Sequence, residues 1–207
     1  AFKEASQAEL ALESEYEFSE RLLQNILPRA VAIRLRDHRT QLVADQIPSA
    51  TILFADIFDA IASAHGLEKI KTIGDAYMVA GGLPEPKPDH EAAVARMALD
   101  LLDCCRQISQ QVGEPVEVRI GLDTGPVVAG VLGPNKLLYD VWGDTVNTAA
   151  HMESHGVAGR IQVADCLKKR LEDRFDFELR GDIEVKGKGA MRVWFLTGAK
   201  SDPITSR

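Results

Sequence analysis

The stretch that most constrains this chain is Leu67-Glu68-Lys69-Ile70-Lys71-Thr72-Ile73-Gly74-Asp75-Ala76-Tyr77-Met78-Val79-Ala80-Gly81-Gly82. Leu67, Lys69, Lys71 and Ile73 alternate with Glu68, Ile70 and Thr72, the period of a strand. Gly74-Asp75 interrupts the run, and Ala76 to Val79 resumes it. A Gly-Asp pair between two β-prone runs predicts a hairpin, because glycine supplies the positive φ of a tight turn. The turn carries a carboxylate, Asp75, at its tip. A second acid, Asp56, closes another apolar run, Thr51 to Ile57. Two carboxylates at strand ends can hold divalent cations through oxygen ligands, with the Ile57 backbone carbonyl as a further donor. Strand-end aspartates also serve as turn caps, and the pair alone leaves both readings open.

The 207 residues suffice for a full core in one or two domains. A net charge of −7 argues against nucleic acid or an anionic membrane as a non-specific partner. Cys104, Cys105 and Cys166 have no metal-ligand spacing, and the odd count points to reduced thiols, read as small core residues. No apolar run approaches the length of a membrane span, and no signal peptide is expected in this stretch. The chain starts in mid-pattern at Ala1, as a fragment of a longer protein would.

Residues 1 to 27 read as a helix with an imperfect coiled-coil seam. Phe2, Tyr16 and Leu23 share one heptad position, and Ala5, Leu12 and Ile26 share its partner. Pro28 ends or kinks it, and a short helix from Arg29 to Asp37 is expected next. Residues 38 to 50, with Pro48, read as a connector into a strand at Thr51 to Ile57. Phe58 to Gly66 reads as an unusually short crossover helix. After the hairpin and a proline-rich loop, Asp89 is expected to cap a helix running to about Gln111. Its core face would be Ala92, Ala95, Leu99, Leu102 and Ile108. A strand at Val116 to Leu122, a turn at Asp123 to Pro126 and a strand at Val127 to Gly133 follow. Then come a strand at Leu137 to Trp142, a helix at Asp144 to Glu153, a strand at Ile161 to Val163 and a helix near Asp165 to Phe175. Strands at 176–186 and 190–197 end the pattern. His38, His65, His90 and His155 lack ligand spacing and read as surface or helix-end residues.

Strand–helix–strand–strand–helix–strand is the split βαβ order. The expected fold class is α+β: a ferredoxin-like antiparallel sheet with helices on its face, preceded by an N-terminal helix. In this order the first two strands run parallel with the third antiparallel between them, so Asp56 and Asp75 share one sheet edge.

Four ordered blocks carry a resemblance. They are Phe54-Ala55-Asp56-Ile57, Glu68 to Met78, Tyr139-Asp140-Val141-Trp142-Gly143-Asp144-Thr145-Val146-Asn147-Thr148-Ala149-Ala150, and Val185-Lys186-Gly187-Lys188-Gly189. Together they resemble the signature segments of class III nucleotidyl cyclases, in the adenylate cyclase form of bacterial and mammalian membrane proteins. Leu22 to Pro28 is similar to the helical transducer segment that often precedes such domains. The resemblance implies a lyase that converts ATP to 3′,5′-cyclic AMP and pyrophosphate with two divalent metal ions, Mg²⁺ or Mn²⁺. It implies a head-to-tail homodimer with sites at the interface. One chain would supply Asp56, Asp75 and the Ile57 carbonyl for metal, and Arg119 for phosphate. The other would supply Lys71 and Asp140 for the base, Asn147 for the ribose and transition state, and Lys186, or less favourably Lys188, for the triphosphate. The base pair is legible chemically: lysine only donates and ionised aspartate only accepts, which fits the N1 acceptor and N6 donor of adenine. Guanine presents the reverse edge, and guanylate cyclases typically carry glutamate where Lys71 stands.

Two departures stand out. His151 occupies the position one turn after Asn147 where the family usually has a transition-state arginine. The family also continues beyond its first aspartate with a Gly-Phe-Thr-like segment and helices, whereas here Ile57 runs straight into Phe58. The expected organisation is a transducer segment at 1–38, a catalytic domain at 39–200 and a loose tail at 201–207. The expected setting is the cytoplasmic side of a membrane-anchored protein with an upstream sensor, and no nucleic-acid partner. The rival readings are a degenerate cyclase-homology domain that dimerises or signals without catalysis and, more distantly, a guanylate cyclase.

Overall fold

The computed structural model describes residues 26–37, 44–55, 68–73, 76–132 and 137–200; within these, the side chains of 36–37, 68–69, 71–73 and 76 are not described. Its elements are α1 (Arg29–Asp37), β1 (Ala44–Ala55), β2 (Glu68–Ile73), β3 (Ala76–Gly81), α2 (His90–Val112), β4 (Ile120–Leu132), β5 (Leu138–Trp142), α3 (Asp144–Ser154), β6 (Ile161–Ala164), α4 (Asp165–Leu171), β7 (Phe175–Val185) and β8 (Gly189–Ala199). They fall into two compact units, Ala1–Ala44 with Gly130–Asp140, and Asp45–Ala129 with Val141–Arg207. In the first, α1 begins directly after Pro28, whose carbonyl accepts the Val31 and Ala32 amides. Proline suits a position just before a helix, where its missing N–H costs nothing. Apart from Ile26, which is exposed, the coiled-coil seam lies outside the described residues, as does the crossover helix expected over Phe58 to Gly66.

The strands run in the order β2-β3-β1-β4-β6-β8-β7, and β5 pairs β4 off this row. β3 is antiparallel to both β1 and β2. β1 and β2 are therefore parallel with β3 between them, the split βαβ expected from the sequence. The sheet then continues past the ferredoxin-like set: β6 joins β4 in parallel, and β8 and β7 follow antiparallel. The class is mixed α+β, as expected.

One face carries the main core. Leu53, Val79, Ile120, Leu122, Ile161, Val163 and Leu196 point to it from five strands. Ala92, Ala95, Ala98, Leu101 and Leu102 meet them from α2, and Leu167 and Leu171 from α4. The alanines let α2 lie close to the sheet, and burial of the large aliphatic residues contributes about 2 kcal/mol each. The opposite face holds α3. Met152 packs with Ala164, Val185 and Val193. Gln162, fully buried, donates to the Met152 carbonyl at 3.1 Å.

Gly121 sets how close α3 comes. A β-carbon there would stand 2.0 Å from the Glu153 amide nitrogen and 2.6 Å from the Ala149 carbonyl. Both are backbone atoms, so no rotamer change relieves the clash. Gly121→Ala is expected to destabilise the fold by about 3 kcal/mol, read as a lowered midpoint in urea denaturation.

Four local expectations are corrected. β1 begins at Ala44 rather than Thr51, and Pro48 lies inside it. β3 pairs only with Thr51 to Ala55, so on that flank Pro48 interrupts no ladder bond. The Val116–Leu122 strand, Asp123–Pro126 turn and following strand are instead one strand, β4, starting at Ile120. Gly125 and Pro126 serve helix contact there: a β-carbon at Gly125 would meet Thr145 Oγ1 at 2.7 Å, and that hydroxyl donates to the Pro126 carbonyl at 2.9 Å. Asp89 occupies the N-cap position of α2, as expected, but in a left-handed conformation with φ 66° and without a side-chain cap bond. Its carboxylate is instead drawn to Arg174 and Arg96. Finally, α4 ends at Leu171, and a turn leads to β7.

His90 is a helix-end residue, as expected, but not a surface one. It starts α2 but is buried, with Nδ1 2.8 Å from Thr51 Oγ1. Burial holds its pKa below 6.5, against the opposing pull of Glu91. A depressed folded-state pKa means that the unfolded chain takes up the proton first. The stability from neutral His90 is present above the unfolded value and is lost as pH falls through the folded one. Thermal melts between about pH 7 and 5 are expected to show falling stability, with a shallower fall in His90→Gln.

Candidate active site

The registers bring three strand ends to one edge. Ala55, the last residue of β1, pairs Tyr77, and Ile73, the last of β2, pairs Ala76. Asp56, Ile57 and Asp75 lie outside the described residues, as does the Lys71 side chain, although Lys71 itself pairs Met78 within the hairpin. Among the described residues there is no cluster of three or more metal-ligating side chains.

α3 carries Asn147 and His151 one turn apart, on one helix face. Asn147 is exposed and His151 half-buried. The helix starts at Gly143, whose φ of 140° belongs to glycine, and Asp144 in the first turn favours the positive end of the helix dipole. The His151 ring lies 5.7 Å from that of His155, tilted by 59°. His155 Nδ1 lies 3.1 Å from the His151 carbonyl.

Arg119 stands just before β4. Its Nε donates to Glu153 Oε1 at 2.9 Å, with the arginine side chain 45% exposed and the glutamate 11%. At that exposure the pair contributes about 0.5 kcal/mol to stability. Its larger effect is orientational, since a carboxylate on one edge of the planar fork fixes where the remaining N–H groups point. Sequence reasoning did not find Glu153. It lies far along the chain, and nothing in local pattern marks a partner at that separation.

In the first unit, Asp140 is buried on β5, 5% exposed. Lys186 is exposed in the turn between β7 and β8, and makes no hydrogen bond or ion pair among the described residues. Lys188 differs. Its ammonium donates to Asp144 Oδ2 and, at 2.6 Å, to Thr148 Oγ1.

Behind α3, Asp123 is buried on β4. Burial raises its pKa, offset in part by Cys166, by the Thr124 amide and by the Lys188 charge. Cys166 Sγ donates to Asp123 Oδ1 at 2.8 Å. The reading of Cys166 as a core residue is therefore corrected: it is an exposed residue at the start of α4 whose thiol turns inward to a carboxylate. Desolvation and that neighbouring charge push its pKa up to about 12. Cys105 is buried as expected. At about pH 8, Cys166 is expected to react with a disulfide reagent far more slowly than an unperturbed surface thiol, because the thiolate is the nucleophile. Thiol release by each Cys→Ser variant checks this.

The model of the adenylate and guanylate cyclase catalytic domain matches residues 38–198. The chain belongs to this family of nucleotidyl cyclase catalytic domains. It is 44% identical over 230 residues to a Mycobacterium tuberculosis protein named adenylate cyclase, covering 98% of this chain and 52% of that protein. The chain thus spans about half the length of this relative. The matched span of 230 exceeds the 207 residues present, so the relative has residues within it that this chain lacks. It is also 37% identical over 219 residues to the human guanylate cyclase soluble subunit beta-2, covering 91% of this chain and 35% of that protein. Among solved structures, it resembles the guanylate cyclase domain of RhGC from Catenaria anguillulae in complex with GTP, at 35% identity and a TM-score of 0.69, covering 75% of this chain and all of that one. No helix among the described residues is long and apolar enough to cross a membrane.

Proposed function

We propose that this chain is an adenylate cyclase domain that closes ATP to 3′,5′-cyclic AMP at the interface of a head-to-tail homodimer. The observation that carries the reading is the 44% identity to a protein named adenylate cyclase across 98% of the chain. The sheet registers support it, because they bring the chain flanking Asp56 and Asp75 to one edge. We assign the catalytic domain to 39–200 and the transducer segment to 1–38; the family match over 38–198 supports this assignment. The upstream partner is a sensor or membrane segment, and the domain works on the cytoplasmic side.

Asp56, Asp75 and the Ile57 carbonyl would hold two divalent cations, all-oxygen donors that suit Mg²⁺ or Mn²⁺. Bound there, the metals supply Lewis acidity toward the 3′-hydroxyl and the phosphates. Lys71 donates to adenine N1, and Asp140 accepts from N6. Asn147 orients the ribose for in-line attack on the α-phosphorus. Arg119, oriented by Glu153, contacts phosphate oxygens, and Lys186 takes the triphosphate. His151 contributes a single ring donor where an arginine would contribute a fork.

Formation of cyclic AMP from ATP with Mg²⁺ or Mn²⁺ tests the reading. Turnover that is lost in Asp75→Asn is the expected result. A dimeric chain that makes no cyclic AMP, with either ion and also after His151→Arg, would establish the non-catalytic rival.

A further inference from the structure

We propose that Lys188 is a positioning residue, clamping the turn between β7 and β8 onto the first turn of α3 through Asp144 and Thr148 and so fixing Lys186 relative to Asn147. The inference rests on the cyclase reading, which gives Lys186 and Asn147 their tasks within one chain.

The turn needs such a tie. It covers Lys186 to Lys188 and closes through the Lys188 amide on the Val185 carbonyl at 2.9 Å. Gly187 and Gly189 hold it with φ of 80° and 73°, and a β-carbon at either would meet nothing within 4 Å. The glycines thus give the turn its shape but no packing. Among the described residues, the lateral bonds from this turn to the body of the fold are those of the Lys188 ammonium, to Asp144 Oδ2 and Thr148 Oγ1. Thr148 spends its own proton on the Asp144 carbonyl at 2.8 Å, so its oxygen is left to accept from lysine. The Lys188 side chain is 21% exposed and Asp144 81%, so the ammonium is tucked against the helix while the carboxylate faces solvent. Asn147 lies between Asp144 and Thr148 in the same turn. The two lysines of Lys186-Gly187-Lys188 thus divide the work: one stays open to solvent, and the other anchors it.

The competing role for Lys188 is direct contact with the nucleotide. Asp144→Asn separates the two. If Lys188 anchors, Asp144→Asn and Lys188→Met each lower kcat by about tenfold through lost orientation, leave KM for ATP within about twofold, and are no worse combined than singly. If Lys188 binds phosphate, releasing it from Asp144 preserves or raises activity while Lys188→Met alone loses it, and the proposal is overturned. Amide hydrogen exchange on the free chain gives a readout independent of turnover. Exchange at Lys186 to Gly189 is expected to quicken in both variants with the core unchanged, and unchanged exchange overturns the tie. Quickened exchange in a chain that makes no cyclic AMP upholds the tie and sinks the cyclase reading instead.

Discussion

Replacing Lys71 by glutamate is expected to lower kcat/KM for ATP by about four orders of magnitude. The magnitude follows from how a polar site rejects the wrong partner. Lys71 donates to the N1 lone pair of adenine; a glutamate there sets an acceptor against an acceptor. The site then holds both an unpaired carboxylate and an unpaired ring nitrogen, each desolvated, and hydrogen-bonding sites discriminate against such mismatches by about 10⁴. The same argument gives the unmodified chain a large preference for ATP over GTP. Initial rates with both nucleotides, for the parent and for Lys71→Glu, measure it. Faster use of GTP by the parent would overturn the base-reading assignment of Lys71 and Asp140 and return the guanylate reading. Asp140 is buried on its strand, which suits a carboxylate meant to hold one direction rather than swing in solvent.

His151→Arg is expected to raise the turnover of ATP by about three orders of magnitude, the scale that a guanidinium supplied to phosphoryl chemistry delivers. The position is well placed to take the longer side chain. It sits in the last turn of α3, where positive charge meets the negative end of the helix dipole. It lies one turn from Asn147 on the same face, and it is half-buried rather than enclosed. His155 is the neighbour that must move aside, its ring centroid 5.7 Å away. The gain is expected in kcat with KM little changed, since the added charge acts where charge develops in the transition state. Equal turnover by the two chains would mean that this position does not face the reacting phosphate.

Much of the architecture is written in local pattern. Alternation and the Gly74-Asp75 break announce the β2–β3 hairpin, and the Ile73–Ala76 pairing agrees, although a bulge between Lys69 and Lys71 breaks the strict alternation. Apolar periodicity marks α2, and Pro28 marks the start of α1. The strand order follows because a split βαβ has few alternative routes. The errors share one cause, which is reading a residue by its usual local role. Gly125-Pro126 looks like a turn but continues β4, because the small residue admits Thr145 from a helix that comes later in the chain. Asp89 looks like a cap, but two arginines compete for its carboxylate and win by charge. His90 looks like a surface residue, but the Thr51 hydroxyl gives its buried ring a partner.

The candidate site divides in the same way. Asn147, His151 and Lys186 can be located from sequence because their blocks have fixed spacing and because helical and turn geometry is local. The sequence by itself therefore determined the family, the ordered blocks and the face on which Asn147 and His151 stand. Only the tertiary structure decided that Glu153 holds Arg119, that Asp123 receives the Cys166 thiol, and that Lys188 is spent on α3 while Lys186 is not. The physical reason is range. Helix and strand preferences act over a few residues and leave a periodic trace in the chain. An ion pair or a buried thiol–carboxylate bond depends on two side chains meeting after the strands have paired, and neither partner's own neighbourhood records where the other will be.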